Sequence, residues 1–150
     1  MQSTHKDQLK RVADAMRDMD FCMLTTATAD GSFHSRPMSN NGEVEFDGDV
    51  WFFSAADSRK VAEIRQMNQV HLAYSDPQKF RFVSMAGVAS LISDATKKEQ
   101  LWVKDLDRWF PNGPTDENVL LIKVTPRKVG IWDGEDEDQL DLTGPTPVKN

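Results

Sequence analysis

The chain has 150 residues, 39% of them hydrophobic, which suits one compact domain with a real core. A formal charge of −6 argues against a nucleic-acid surface. The single cysteine, Cys22, excludes an intrachain disulfide and points to a reducing cytoplasm. The opening MQSTHKDQ lacks the apolar core of a signal peptide, and no run nears the ~18 apolar residues of a membrane span.

Over residues 4–19, Leu9, Val12, Ala13, Met16 and Met19 form a helical stripe, with Thr4 and Asp7 spaced as a capping box. From Phe21 the pattern changes to FCMLTTAT, a strand closed by the turn signal ADGS. FHSRPM predicts a second strand whose end Pro37 confines to an edge or bulge. SNNGEVEFDGD reads as a loop or hairpin tip, and VWFFS (50–54) as a buried strand. A short helix follows, marked by Val61, Ala62, Ile64 and Met67, with Asp57 or Ser58 as its cap. VHLAYSD (70–76) and FRFVSMAGVASLIS (80–93) predict two strands, the longer one bent or bulged at Gly87. DATKKEQLWVKDLDRWF predicts one helix capped by Asp94 and broken by Pro111 and Gly113. VLLIKVTP (119–126) and KVGIWD (128–133) predict two more strands. Domain 1–133 is then followed by an acidic, flexible tail over 134–150. Helices interrupting runs of antiparallel strands give an α+β fold with a barrel as its closure.

Most catalytic chemistries find no support. His5, His34 and His71 lie on three different elements without metal-ligand spacing, and His34 reads as a hydrogen-bonded strand residue. DGEDED (133–138) lacks the Gly and Glu positions of a calcium loop. No G-x-S-x-G occurs, and Cys22 reads as a small buried hydrophobe. SAADSRKVAEI (54–64) is different. Ser58, Arg59 and Lys60 follow a buried strand and open a helix, where free N–H groups and two cations can hold a phosphate. Short helices often begin with Ser and carry surface cations, so this stretch alone does not make a site. Arg36 adds a third cation if the second and third strands form a hairpin.

In order along the chain, TTATADGSFHSRPM, VWFFSAADSRKVAEI, VHLAYSDP, FVSMAGVASL, LWVKDLDRWFPNGP and VLLIKVTPRKVGIWD resemble the FMN-binding split barrels related to pyridoxamine 5′-phosphate oxidase. The nearest subfamily is that of the bacterial general stress proteins, and the resemblance covers residues ~5–133. It implies a six-stranded antiparallel split β-barrel with flanking helices, dimeric, with two FMN sites between the subunits. Carried over by position, Arg36, Pro37, Met38 and Ser39 would run along the flavin ring and ribityl chain. Phe53 and Ser54 would lie beside ring and chain, Arg59 and Lys60 would hold the phosphate, and Ser58 would cap the helix there. Phe82 stands where the oxidases carry a flavin-contacting Gln, so one ring hydrogen bond would be missing. Trp109, with Phe110, would be a lid over the partner's flavin.

The resemblance implies an FMN-dependent oxidoreductase of an unidentified small molecule. The alternative is a non-catalytic protein that sequesters FMN or senses stress, and a third reading is a β-barrel binding module without flavin. FAD or a deazaflavin fits the phosphate grip as well as FMN does. Pyridoxamine phosphate oxidation is disfavoured, because an acidic stretch stands where the oxidases place substrate-binding Arg and His.

Overall fold

The computed structural model describes residues 4–40 and 46–143. Helix α1 (His5–Met16) opens with the expected reciprocal cap: Asp7 N–H donates to Thr4 Oγ1 at 3.0 Å, and Thr4 N–H donates to the Asp7 carboxylate. Its Val12, Ala15 and Met16 are buried against the sheet. Strands β1 (Phe21–Ala27) and β2 (Phe33–Ser39) then pair around the ADGS turn. β3 (Val50–Ala55) leads into α2 (Arg59–Gln66), and β4 (Gln69–Asp76) and β5 (Arg81–Ile92) form the next antiparallel pair. Among the described residues the loop prediction for 41–45 cannot be placed, since those positions lie outside them.

With β6 (Val119–Asp133), the strands form one antiparallel sheet in the order β2-β1-β4-β5-β6-β3, and β7 (Asp136–Asp141) also pairs with β6. β6 is a single strand of 15 residues where two were expected. It pairs with β5 along most of its length, while Ala86 faces Lys128 and Gly87 faces Pro126, leaving Arg127 as the extra residue of a bulge. The bulge explains how Pro126 is tolerated inside a strand. β3 pairs with Val119–Val124 of β6, and β7 with Lys128–Asp133 on the same edge. The sheet splits there. Among the described residues the strand count is therefore seven, not six.

Two further expectations are corrected. The acidic stretch from residue 134 does not begin a tail: it turns at Gly134 and returns as β7, with Leu142 buried beyond it. Residues 144–150 lie outside the described residues. The predicted helix over 94–110 is two pieces, α3 (Ala95–Leu101) and a 3₁₀ helix (Lys104–Arg108). Trp102 breaks it by turning into a second core, where its ring meets Phe53 edge-on at 5.2 Å.

Candidate anion site at the start of α2

The chain leaves the buried strand β3 and enters α2 through a tight turn. Ser54 is buried, and its hydroxyl lies 3.1 Å from that of Ser58. Ser58, rather than Asp57, is the cap of α2, its Oγ accepting from Val61 N–H at 3.4 Å. Arg59 and Lys60 are the first two helical residues, and no acidic side chain stands in that first turn. No carboxylate of that turn offsets the positive end of the helix dipole. Arg59 is exposed and Lys60 half-buried, and neither has a hydrogen-bond or ion-pair partner among the described residues. The Lys60 ammonium is held below its usual range, first by desolvation and then by the nearby Arg36 guanidinium. An anion placed here would relieve both effects.

Arg36 reaches this place by a different route from the one expected. β2 and β3 stand at opposite ends of the sheet order and form no hairpin. Instead α2 bridges the two ends. It leaves β3, packs on β1, and fixes itself to β2 through Glu63, whose Oε1 accepts from Arg36 Nη2 at 3.1 Å. Arg36 Nη1 donates to the Leu24 carbonyl at 3.2 Å and to Thr26 Oγ1 at 2.8 Å. Thr26 is fully buried and donates to the same Glu63 oxygen at 2.7 Å, while His34 Nδ1 lies 2.5 Å from Oε2. Because a carboxylate only accepts, His34 carries its proton on Nδ1. Burial pushes the Glu63 carboxyl up, but the hydrogen bonds from Thr26, His34 and Arg36 outweigh it and keep the group below its ordinary range. The reading of His34 as a hydrogen-bonded strand residue holds, whereas Glu63 had no signal in the sequence beyond standing three residues after Lys60.

The other predicted residues are spread more widely. Met38 packs on the core, Pro37 is exposed, and Ser39 Oγ donates to Asp20 at 2.8 Å. Phe53 is buried in the second core with Leu106, Val119 and Leu121, its ring against Trp102. Phe82 lies on β5 opposite Ser75 and meets Phe80 edge-on at 5.0 Å. Three strand spacings separate it from Ser39, ~14 Å, so one chain alone does not gather Phe82 with the cations. Trp109 is 70% exposed, whereas Phe110 turns inward onto the Phe53 cluster. Cys22 is buried, and that burial pushes its thiol up to about 12, which fits a packing role. A cavity of about 930 Å³ is lined by His71, Gly87, Arg127 and Thr143 together with Thr26, the hydroxyl that bonds Arg36; none of the predicted cofactor residues lines it.

A family model described as pyridoxamine 5′-phosphate oxidase like matches residues 7–142. The chain belongs to this family. General stress protein 26 of Bacillus subtilis (strain 168) is 25% identical over 92 residues, covering 59% of this chain and 65% of that protein. The chain thus spans a little less than two thirds of that relative. A Clostridium acetobutylicum protein related to general stress protein 26 superposes with a TM-score of 0.76 at 17% identity, over 94% of this chain and 98% of its own. The general stress FMN/FAD binding protein of Xanthomonas citri superposes with a TM-score of 0.71 at 26% identity, over 97% and 99% of the two chains. The α+β architecture of seven antiparallel strands and three α-helices is that of solved members of this pyridoxamine 5′-phosphate oxidase-like family.

Proposed function

We propose that the chain is a flavoprotein of the general stress type that binds FMN as a homodimer and acts as a flavin-dependent oxidoreductase on a small molecule. The observation that carries this reading is Lys60: a half-buried cation without an ion-pair partner among the described residues, beside Arg36, at a helix N terminus whose first turn holds no acidic residue. The Xanthomonas relative, described as binding FMN or FAD, supports a flavin as the anion's owner. In this reading Arg59 and Lys60 bind the phosphate with the first N–H groups of α2, and Ser58 orients that turn. Ser39, Pro37 and Met38 line the path from phosphate to ring. A bound flavin supplies the redox chemistry itself, so the chain has to bind, orient and shield it.

A dimer accounts for the scatter of the remaining residues. Phe21, Met23 and Phe80 are 64%, 42% and 55% exposed, and Met23 is paired with Pro37 and Ala73. Phe21 and Met23 share one face of β1 and Phe80 ends the turn before β5, and exposed apolar side chains of this kind suit an isologous contact. It would bring the partner's copy of Trp109 or Phe82 toward these cations, as a lid or ring contact.

Titrating FMN into the purified protein tests the reading: a flavin absorption band near ~450 nm should stay with the protein on gel filtration, at the mass of a dimer. Arg59→Ala combined with Lys60→Ala should weaken FMN binding by about 2–4 kcal/mol and leave riboflavin binding nearly unchanged. Unchanged FMN affinity in that variant would remove the phosphate from α2. Anaerobic bleaching of the band by NADH or NADPH supports the oxidoreductase; a band that no donor reduces supports the alternative, a protein that sequesters or senses FMN.

A further inference from the structure

One helical turn beyond Lys60, on the same face of α2, stands Glu63. Its side chain is only 12% exposed and joins three elements. β1 contributes the Thr26 hydroxyl and β2 contributes His34 and Arg36, and Arg36 in turn acts on Lys60. Arg36 therefore faces an internal anion before any ligand arrives. Its Nη1 is spent on the Leu24 carbonyl and Thr26, and its Nη2 on Glu63. A guanidinium reserved for a phosphate would present its open fork outward. Here the fork is already engaged, while Lys60 is not.

We propose that Glu63 is an internal counter-anion of the phosphate site: it holds Arg36 while the site is empty and competes with the phosphate for it when a ligand binds. The proposal rests on the reading that the start of α2 receives a flavin's phosphate. Two physical consequences follow. Without Glu63, Arg36 and Lys60 would face each other as uncompensated like charges, so the carboxylate keeps the empty site assembled. With ligand present, the carboxylate and the phosphate repel one another across a half-buried space. At about one helix turn of separation that repulsion is worth about tenfold or more in affinity. The site thus binds a phosphorylated ligand less tightly than its cations alone would allow.

Glu63→Gln tests this, because it removes the charge and keeps the side chain's shape and an acceptor for Arg36. FMN, riboflavin and inorganic phosphate are each titrated into the natural protein and the variant, with fluorescence quenching for the flavins and thermal shift for phosphate. The expected result is FMN binding about tenfold tighter in the variant, riboflavin unchanged, and thermal stabilisation by lower phosphate concentrations. Equal or weaker FMN binding overturns the proposal. Parallel loss of FMN and riboflavin also overturns it, since Glu63 would then be only a strut between α2 and β2. Glu63→Ala, which removes the charge without adding an amide, repeats the comparison if the glutamine variant does not fold. The phosphate arm separates this proposal from the flavin reading. Tighter phosphate binding in the variant, with FMN bound by neither protein, keeps the role of Glu63 and removes the flavin. FMN bound by the natural protein with no gain in the variant keeps the flavin and removes the competition.

Discussion

Ser54 and Ser58 share a hydrogen bond of 3.1 Å across the turn that joins β3 to α2. The first hydroxyl is buried at the end of a core strand and the second caps the helix, so the turn is fixed from both sides. Through it the positions of Arg59 and Lys60 are set by the core. Ser58→Ala removes the cap and one partner of Ser54 together. The expected cost is about 1 kcal/mol in urea unfolding, with the long 3.4 Å cap bond keeping it from the upper end of the range. Ser58→Gly should cost less than Ser58→Ala. Equal losses would mean that the hydroxyl network, not the cap, supports the turn.

Lys98 is 3% exposed and forms no ion pair among the described residues. Its Nζ donates to the carbonyls of Asp116 at 3.1 Å and Val119 at 2.8 Å, tying α3 to the segment that leads into β6. Lys98→Ala strands two carbonyls and leaves a hole under that segment. A loss of about 2–3 kcal/mol is expected from chemical denaturation. Lys98→Met refills the hole and should recover part of that loss; no recovery would assign the whole effect to the carbonyls.

β7 is an integral strand despite its composition. Leu142 is 7% exposed and joins the main core, whereas Asp138 pairs with Arg11 at the surface at 2.9 Å. Leu142→Ala should therefore cost about 2–3 kcal/mol, and Asp138→Ala under about 1 kcal/mol. If both were silent in denaturation, β7 would not belong to the cooperative unit.

What was legible in the sequence is what short-range physics decides. The Thr4–Asp7 box and the Ser58 cap have their determinants within a few residues, and the glycine at 87 marks the β5–β6 bulge although its reason lies in β6. A Cβ on Gly87 would sit 2.7 Å from the Thr125 carbonyl oxygen, so the close approach of β6 demands glycine there. What was missed depends on distant partners. Asp136–Asp141 reads as tail because it is a polar edge strand in which only Leu140 packs against the core. Trp102 interrupts a good helical pattern because Phe53, far away in the chain, offers it a ring. Glu63 gave no warning, since its partners Thr26 and His34 stand 37 and 29 residues away. The cations of the site were visible; the anion that restrains them was not.

Gly87→Ala follows from the same contact. The added methyl would also stand 3.0 Å from Val124 Cγ1, and a backbone oxygen cannot rotate away as a side chain can. A loss of about 2–3 kcal/mol is expected, with the β5–β6 bulge shifted, seen as amide chemical-shift changes around Thr125.

Lys60 gives a prediction in which stability and ligand binding move in opposite directions. Its folded-state proton affinity is depressed by desolvation and by Arg36, while in the unfolded chain it returns to its ordinary value of 10.5. Between those two values the unfolded chain binds more protons, so stability rises with pH there. Below the depressed value both states are charged and the folded state bears the full penalty; above 10.5 the contribution is gone. Lys60→Met should accordingly stabilise the ligand-free protein at neutral pH. The gain should stay under about 1 kcal/mol, because water screens a half-exposed ammonium. It should shrink when urea unfolding is repeated near pH ~10, where the natural side chain begins to lose its proton. With FMN present at neutral pH the order should reverse: the phosphate meets the unpartnered ammonium only in the natural protein, which then gains more stability from the ligand than the variant does. A variant less stable than the natural protein without ligand at pH 7 would show that the Lys60 stem packs against α2 more than its charge strains it.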